Sequence, residues 1–440
     1  YTLDGNKVIE SIGATKGVNT VMQAAFFKLS NVIPYEDAEK YMKAAIKKTY
    51  GKKGDAVVNM NYAAVDGAIA QLVEVKYPES WATTTEGAPM VEPADNEYFK
   101  KVINPILKQE GDKLPVSAFN ADGTVPVGTT KYEKRGTAVH VPVWIPENCI
   151  QCNQCSYVCP HAVVRPVLAT PEQLKDAPET FVTKDATGFK GYKFRIQISP
   201  YDCTGCGSCA NVCPAKTKAL VMKPIAEAIA ADAVNAEYAA KLPETDKVYN
   251  TNTVKGSQFS KPLFEYSGAC AGCGETPYVK LVTQLFGDRM IVANATGCSS
   301  IYGGSAPTCP YTTNDKGHGP AWANSLFEDN AEFGYGMNLA YTARRNEIKA
   351  DVNALIEGAW ADYADGKAAG EEWLNNMDDA EGSKVAAEKL IAACSATDDA
   401  AAKRIIAAKD CLVKKSIWIF GGDGWAYDIG YGGLDHVLAS

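Results

Sequence analysis

The chain has 440 residues, a hydrophobic fraction of 46% and a formal net charge of −8, from 44 basic and 52 acidic residues. That length predicts about three domains, and the acidic balance argues against nucleic acid or an anionic membrane as the main partner. No apolar run approaches the roughly 20 residues that a membrane-spanning helix requires. The chain also has 14 cysteines. Their grouping favours metal-bound thiolates in a reducing compartment, such as the cytoplasm or a hydrogenosome-type organelle, over the disulfides of a secreted protein.

The amino-terminal part is predicted to contain an α/β region and then an arm. Residues 1–80 are predicted to be α/β, with an apolar stretch over Val18–Leu29 and an amphipathic helix over Tyr35–Tyr50. Residues 81–140 carry turn signals and little periodicity apart from a helix between Asn96 and Gln109. Such a long irregular segment usually wraps another domain or has a function of its own, so we interpret it as a connecting arm.

The remainder is predicted to hold a small cysteine-rich domain and a second α/β domain. Residues 141–225 contain eight cysteines, and residues 226–260 are predicted as a linker helix. Residues 261–440 alternate helices and strands, with an inserted helical block at about 338–414 that is rich in Ala, Glu, Lys and Asp. The strands predicted in these regions are Val139–Ile145, Tyr192–Ile198, Met290–Asn294 and Ser416–Phe420.

Two cysteine quartets share one spacing. They are Cys149-x2-Cys152-x2-Cys155-x3-Cys159-Pro160 and Cys203-x2-Cys206-x2-Cys209-x3-Cys213-Pro214. This is the run found in bacterial ferredoxins with two 4Fe–4S clusters, in which the fourth cysteine of each run ligates the other cluster. The first three thiolates wrap one face of a cubane, and the proline stops the chain from continuing as a helix.

The spacing therefore predicts two complete clusters with exchanged fourth ligands. Cluster 1 takes Cys149, Cys152, Cys155 and Cys213, and cluster 2 takes Cys203, Cys206, Cys209 and Cys159. The alternative is a pair of four-cysteine zinc sites. Zinc sites more often use two short cysteine pairs separated by a longer stretch of chain than four cysteines with three short spacings in a row.

Further cysteines and a glycine-rich turn follow in the second α/β domain. Cys270 and Cys273 form a CxxC pair, and Cys298 follows a predicted strand; together they supply three thiolates of a third cluster. Cys309, Cys394 and Cys411 remain candidates for its fourth ligand, although the last two look like buried apolar residues. The run Gly422-Asp423-Gly424 follows the last strand. It suits a diphosphate held through Mg²⁺, and a purely structural turn is the alternative.

Several longer segments resemble the pyruvate:ferredoxin oxidoreductase family of thiamine-diphosphate enzymes. The resemblance covers nearly the whole chain and is carried by Cys270–Tyr278, Asn294–Ser300, Pro310–Asn314, Gly319–Glu332, Gly422–Gly430 and Gly433–Ser440. It implies an α/β fold with a ferredoxin-like α+β insert. Residues 1–80 would then be the C-terminal part of the domain that precedes the ferredoxin domain, and residues 261–440 would be an incomplete thiamine-diphosphate domain.

The resemblance also implies roles for individual residues. Cys270, Cys273 and Cys298 would bind the cluster nearest thiamine diphosphate, with a fourth ligand beyond residue 440. Glu275 and Cys298 would contact the cofactor. Gly422, Asp423, Gly424 and Trp425 would hold the diphosphate, with Asp423 on Mg²⁺. No catalytic residue is assigned within the chain, which we expect to be an internal segment of a longer enzyme and inactive alone.

The implied reaction is the oxidative decarboxylation of pyruvate with coenzyme A to acetyl-CoA and CO₂. Electrons would pass through three 4Fe–4S clusters to ferredoxin or flavodoxin, and the full-length enzyme would be a homodimer. Two alternatives stay open within iron–sulfur chemistry: a fused form that reduces NADP, and a polyferredoxin-like carrier without its own catalysis. A third alternative is a structural iron–sulfur or zinc protein that has no redox role.

Overall fold

A computed structural model describes residues 1–83, 96–245, 248–427 and 429–440. Contacts between α-carbons divide the chain into two compact units, residues 1–89 and 90–440. Among the described residues, no helix is both long and apolar enough to cross a membrane.

The first unit is helical. Its helices are α1 (Gly5–Ser11), α2 (Val18–Ser30), α3 (Tyr35–Tyr50) and α4 (Asp55–Ala70). Helix α3 buries Ala38, Met42 and Ile46, which recur every four residues on one face, so the predicted amphipathic helix is confirmed. In the described part of this unit, β pairing is limited to a bridge between Thr2 and Val73.

The second unit contains all the named strands and most of the helices. The strands are β1 (His140–Trp144), β2 (Val164–Ala169), β3 (Lys184–Asp185), β4 (Lys193–Ile198), β5 (Leu220–Pro224), β6 (Met290–Asn294), β7 (Ala321–Asn324) and β8 (Ser416–Phe420). The helices are α5 (Asn104–Leu107), α6 (Gln154–Tyr157), α7 (Ser208–Val212), α8 (Ile225–Ala239), α9 (Val254–Ser257), α10 (Thr276–Phe286), α11 (Cys298–Ser300), α12 (Asn330–Glu357), α13 (Ala364–Asn376), α14 (Gly382–Ser395), α15 (Ala400–Ala407), α16 (Asp423–Tyr427) and α17 (Ile429–Ala439).

Antiparallel strands surround the two cysteine quartets. β1 pairs with β5, and β4 lies between β2 and β3, with Val164 opposite Ile198. The inner faces of these strands pack Trp144, Phe194 and Leu220 against the quartets. The sheets therefore place apolar side chains against the thiols, of which Cys159 and Cys209 are buried.

A parallel sheet supports the third cysteine set and the Gly-Asp-Gly turn. Its strand order is β7-β6-β8, so all three carboxyl ends lie at one edge. Helix α12 packs on this sheet and begins at Asn330, upstream of the predicted start of the helical block. A β-carbon on Gly334 would lie 2.6 Å from Cγ1 of Ile419, so only glycine lets the helix approach β8 this closely.

The helical insertion between β7 and β8 has its own core. Trp360 and Trp373 are fully buried there, and Cys394 packs with them at 2% exposure while Cys411 is half-buried beside them. The prediction that these cysteines behave as buried apolar residues is confirmed for Cys394, whereas Cys411 packs against the same core but is only half-buried. Mixed parallel and antiparallel sheets with packed helices agree with the α/β prediction for this unit.

Candidate redox site

The first quartet surrounds one small cavity. Cys149, Cys152, Cys155 and Cys213 line it together with Trp144, Ile196 and Leu220. The backbone amides of Gln151 and Ala219 donate to the sulfurs of Cys149 and Cys213 over 3.4 and 3.5 Å. Burial raises the pKa of Cys155 to about 12, and the three neighbouring thiols add to the rise. The structure thus brings together the four thiols that spacing assigned to cluster 1.

The second quartet surrounds a matching cavity. Cys159, Cys203, Cys206 and Cys209 line it together with Pro142, Val163 and Val164. The amides of Val163 and Gly205 each donate to a sulfur, on Cys159 and Cys203 respectively, over 3.4 Å. Burial raises the pKa of Cys203 to about 12 and also that of Cys209, beside Cys159. Amide donors and apolar walls are what an anionic iron–sulfur cluster requires.

Both quartet loops follow the same left-handed path. In the first loop φ is +59° at Gln151 and +61° at Asn153, and in the second it is +73° at Gly205 and +75° at Gly207. The non-glycine pair is held by hydrogen bonds: the Gln151 amide bridges Asp185 and Thr187, and Asn153 donates to the Lys255 carbonyl. The long segment between the quartets therefore clamps the loop that lacks glycine, a role that the sequence did not reveal.

The cysteines do not converge as they would around a single ion. Within the part of the chain that is described, no three His, Cys, Asp or Glu side chains are arranged to hold one metal ion. The thiols of each quartet instead face each other across a cavity.

The third set lies between the second quartet and the edge of the parallel sheet. A β-carbon on Gly272, between Cys270 and Cys273, would lie 3.5 Å from the β-carbon of Cys206. Cys298 begins α11 after β6. Burial raises the pKa of its thiol, and the carboxylates of Asp423 and Glu275 raise it further, followed by the thiols of Cys270 and Cys273. The three predicted thiols, Glu275 and Asp423 therefore share one neighbourhood.

Hydrogen bonds fix the loops at the carboxyl edge of this sheet. The Asn330 side chain donates to the carbonyls of Phe420 and Ala293, over 2.8 and 3.3 Å, at the ends of β8 and β6. The hydroxyl of Thr296 donates to the Ser325 carbonyl over 2.7 Å, which joins the loops after β6 and β7. Ligands of α/β proteins bind at such edges, where neighbouring connections part.

The Gly-Asp-Gly turn forms one wall of this edge. A β-carbon on Gly422 would lie 3.4 Å from the backbone nitrogen of Cys298. Asp423 is exposed and begins α16, and Gly424 and Trp425 follow it in that helix. Burial raises the pKa of Glu275, and the nearby Asp423 carboxylate adds to the rise. A carboxylate beside close-packed backbone fits a magnesium diphosphate, because Mg²⁺ binds oxygen and usually bridges a carboxylate to phosphate.

Three residues near these groups were not singled out as site residues from the sequence. Tyr302 is buried beside Glu275. His161 is 2% exposed, and its Nδ1 lies 3.0 Å from the Ser267 carbonyl next to the Cys270 loop. Lys280 is fully buried on α10. His161 had a signal in the sequence, because it directly follows Pro160 of the first quartet, and Lys280 had one because it shares the helix face of Thr276 and Thr283.

Cys309 belongs to none of the three cysteine sets, and its surroundings are those of a core residue. Cys309 is buried, and its thiol lies 3.8 Å from the carbonyls of Gly303 and Tyr311. Its neighbours are Phe264 and Tyr302 in an aromatic cluster. These contacts identify Cys309 as a core residue.

Comparisons with known proteins agree with this arrangement. Residues 1–71 match the family "Pyruvate ferredoxin/flavodoxin oxidoreductase", residues 148–217 match the "4Fe-4S dicluster domain", and residues 84–138 match a domain of unknown function. The whole chain is 59% identical to a pyruvate:ferredoxin oxidoreductase of Moorella thermoacetica and 48% identical to a pyruvate-flavodoxin oxidoreductase of Klebsiella pneumoniae. It spans 38% of the length of each of these two relatives. A mitochondrial pyruvate dehydrogenase [NADP(+)] of Euglena gracilis is 46% identical over the whole chain, which spans 24% of that protein.

Proposed function

Since the chain belongs to the pyruvate:ferredoxin/flavodoxin oxidoreductase family, we propose that it carries the electron path of an enzyme that oxidatively decarboxylates pyruvate. Coenzyme A takes the acyl group, CO₂ leaves, and ferredoxin or flavodoxin accepts the electrons. The full-length enzyme works as a homodimer in a reducing compartment.

The observation that carries the proposal is the continuity of the three cysteine sets. Gly272 of the third set lies against Cys206 of the second quartet, and Cys298 lies against Gly422 at the sheet edge. Electrons released at that edge would have thiolate-bound iron as their nearest acceptor, followed by the two ferredoxin-type clusters. A carrier without catalysis has no need of a Gly-Asp-Gly turn packed on a cluster ligand.

Three 4Fe–4S clusters are proposed for the cysteine sets. Cluster 1 is held by Cys149, Cys152, Cys155 and Cys213; cluster 2 by Cys203, Cys206, Cys209 and Cys159; and cluster 3 by Cys270, Cys273 and Cys298. In clusters 1 and 2 the amides that donate to sulfur spread the negative charge that builds up on reduction. The apolar walls exclude water from the metal.

The sheet edge is proposed to hold thiamine diphosphate and Mg²⁺. Gly422, Gly424 and Trp425 would hold the diphosphate, Asp423 would ligate Mg²⁺, and Glu275 and Cys298 would contact the cofactor. When bound, thiamine diphosphate supplies the electron sink for loss of CO₂. The protein orients it: Asn330 fixes two strand ends, and Thr296 fixes the loop that presents Cys298.

Two measurements test the proposal. Anaerobically reconstituted protein should bind iron and sulfide in equal amounts, absorb broadly in the violet and give EPR signals after dithionite reduction. A colourless, zinc-loaded protein would overturn the cluster assignment. The full-length enzyme that contains this chain should reduce a viologen dye only with pyruvate, coenzyme A and thiamine diphosphate together. If the dye is reduced equally well without pyruvate, an electron carrier without its own catalysis would explain the protein better.

The electron acceptor has a second candidate, NADP. The relative from Euglena gracilis, which is named for NADP, is as similar in this region as several of the flavodoxin-named relatives. Comparing the rate of pyruvate oxidation with ferredoxin, flavodoxin and NADP as the only acceptor decides between them.

A further inference from the structure

Lys280 joins the helix of the cofactor edge to the ferredoxin-type domain. It lies on α10, which starts directly after Cys273 and Glu275, and it is 2% exposed. Its ammonium group donates to the carbonyl of Ser156 and, over 3.2 Å, to that of Tyr157. Both carbonyls lie at the end of α6, between Cys155 and Cys159, the third and fourth cysteines of the first quartet.

The ammonium of Lys280 is not balanced by a carboxylate. Of the acidic side chains that the structure describes, none forms an ion pair with it, and the one guanidinium nearby, on Arg165, is itself paired with Glu265. The groups that favour the charged form of Lys280 are the thiols of Cys159 and Cys155. Burial lowers the pKa of Lys280 to about 8, although those thiols act in the opposite direction.

A buried, unpaired ammonium costs several kcal/mol, so it is retained where a negative charge offsets it. Cys155 is a predicted ligand of cluster 1 and Cys159 of cluster 2, so Lys280 adjoins both quartets. A 4Fe–4S cluster with four thiolates is an anion, and its negative charge grows by one on reduction. The buried cation thus favours the reduced form of each cluster over the oxidised form.

We propose that Lys280 is a positioning residue of the electron path, whose charge raises the reduction potentials of clusters 1 and 2. The inference deepens the proposed function and rests on it. One electron enters each cluster, and Lys280 keeps its proton throughout. Glu275 lies at the start of α10 and Lys280 lies further along the same helix. The helix therefore fixes the distance between the cofactor edge and the buried cation that favours reduction of clusters 1 and 2.

The test is an EPR-monitored redox titration of the full-length enzyme with its clusters loaded. Lys280→Met removes the charge and keeps the length of the side chain. At a fixed potential we expect roughly a tenfold fall in the ratio of reduced to oxidised cluster, which is about 59 mV for a one-electron couple. Lys280→Arg should keep the original potentials. Lys190→Met, which removes an exposed charge from the same domain, is the matched control and should not move them.

A second variant keeps Lys280 in place and covers the case in which Lys280→Met does not load clusters. Gln284 is four residues further along α10, so Gln284→Glu places a carboxylate one turn from the ammonium. Gln284 accepts from Gln258 over 3.1 Å and donates to the Ser260 carbonyl over 2.8 Å. A glutamate keeps the first bond and loses the second, and the neutral Gln284→Met loses both. The same potentials should fall, whereas the neutral Gln284→Met should leave them unchanged.

The outcomes separate the two proposals. Clusters that form in every variant with unchanged potentials would overturn the role of Lys280 and leave the electron path intact. An unsubstituted enzyme without reducible clusters would overturn the proposed function, and the role of Lys280 with it.

Discussion

Gly422 lies against Cys298: a β-carbon at Gly422 would be 3.4 Å from the Cys298 nitrogen and 3.5 Å from its β-carbon. The turn after β8 and the start of α11 therefore leave room for little more than one side-chain carbon between them. A β-carbon alone fits at Gly422, but the branches of a larger side chain such as valine extend beyond it and would push the predicted diphosphate loop away from a predicted cluster ligand.

We predict that Gly422→Val weakens thiamine diphosphate binding by the full-length enzyme at least about tenfold, because a misplacement near 1 Å is enough to cost that much. Clusters 1 and 2 should be unaffected. Calorimetric titration with thiamine diphosphate and Mg²⁺ measures the effect. Gly336→Val on α12 is the control, since Gly336 is exposed, a β-carbon there meets nothing within 4 Å, and it has no proposed contact with the cofactor. Equal losses in both variants would contradict the contact as the cause.

The exchanged fourth ligands can be tested by combining alanine substitutions. We predict that Cys149→Ala with Cys213→Ala removes only cluster 1, because both thiols face one cavity. Cys149→Ala with Cys159→Ala should remove both clusters, because Cys159 faces the other cavity. Iron and sulfide content of the reconstituted chain measures this. If each run instead closed its own cluster, the second pair would spare one cluster and the first would destroy both.

A buried ion pair supports the ferredoxin-type domain. Arg195 on β4 pairs with Asp232 on α8, and their side chains are 6% and 5% exposed. We predict that Asp232→Ala lowers the free energy of unfolding by about 3–5 kcal/mol, because it leaves the guanidinium buried without its partner. Denaturant unfolding of the metal-free chain measures it. Asp398→Ala, which breaks the exposed pair with Lys403, should change stability very little.

The stability of one loop contact should depend on pH. A backbone hydrogen bond from Glu244, and then Lys261, lower the pKa of Asp315 below its ordinary value of 3.8. Because the folded-state pKa is the lower one, the stabilisation is present above pH 3.8 and disappears as pH falls through the folded-state pKa. Asp315→Asn should therefore cost at most about 1 kcal/mol at pH 7 and less at pH 3. Urea unfolding of the metal-free chain at both pH values checks this.

Local patterns predicted the elements that carry most of the site. Strands β6 and β8 have the predicted bounds of Met290–Asn294 and Ser416–Phe420. Each is a short apolar run that leads into glycine, a pattern that depends only on neighbouring residues. The ligands in the two quartets were equally predictable from the sequence, because the cysteine spacing that lets one loop surround a cubane is a local property of that loop.

Features that depend on distant contacts were not predicted. Nothing around Lys280 indicates that its ammonium reaches α6, which lies more than a hundred residues earlier in the chain. The early start of α12 at Asn330 depends on carbonyls of β6 and β8 that accept from that side chain. The clamp on Gln151 likewise comes from a segment whose own sequence has no clear pattern.

The helical insertion between β7 and β8 has a consequence for the order of folding. The antiparallel strands around the quartets join segments that are comparatively close in sequence, whereas β8 can pair with β6 only after α12–α15 have been made and packed. Closing such a long loop is slow. We therefore expect the ferredoxin-type domain to be ready for iron first during synthesis, while the edge that carries Asp423 forms last.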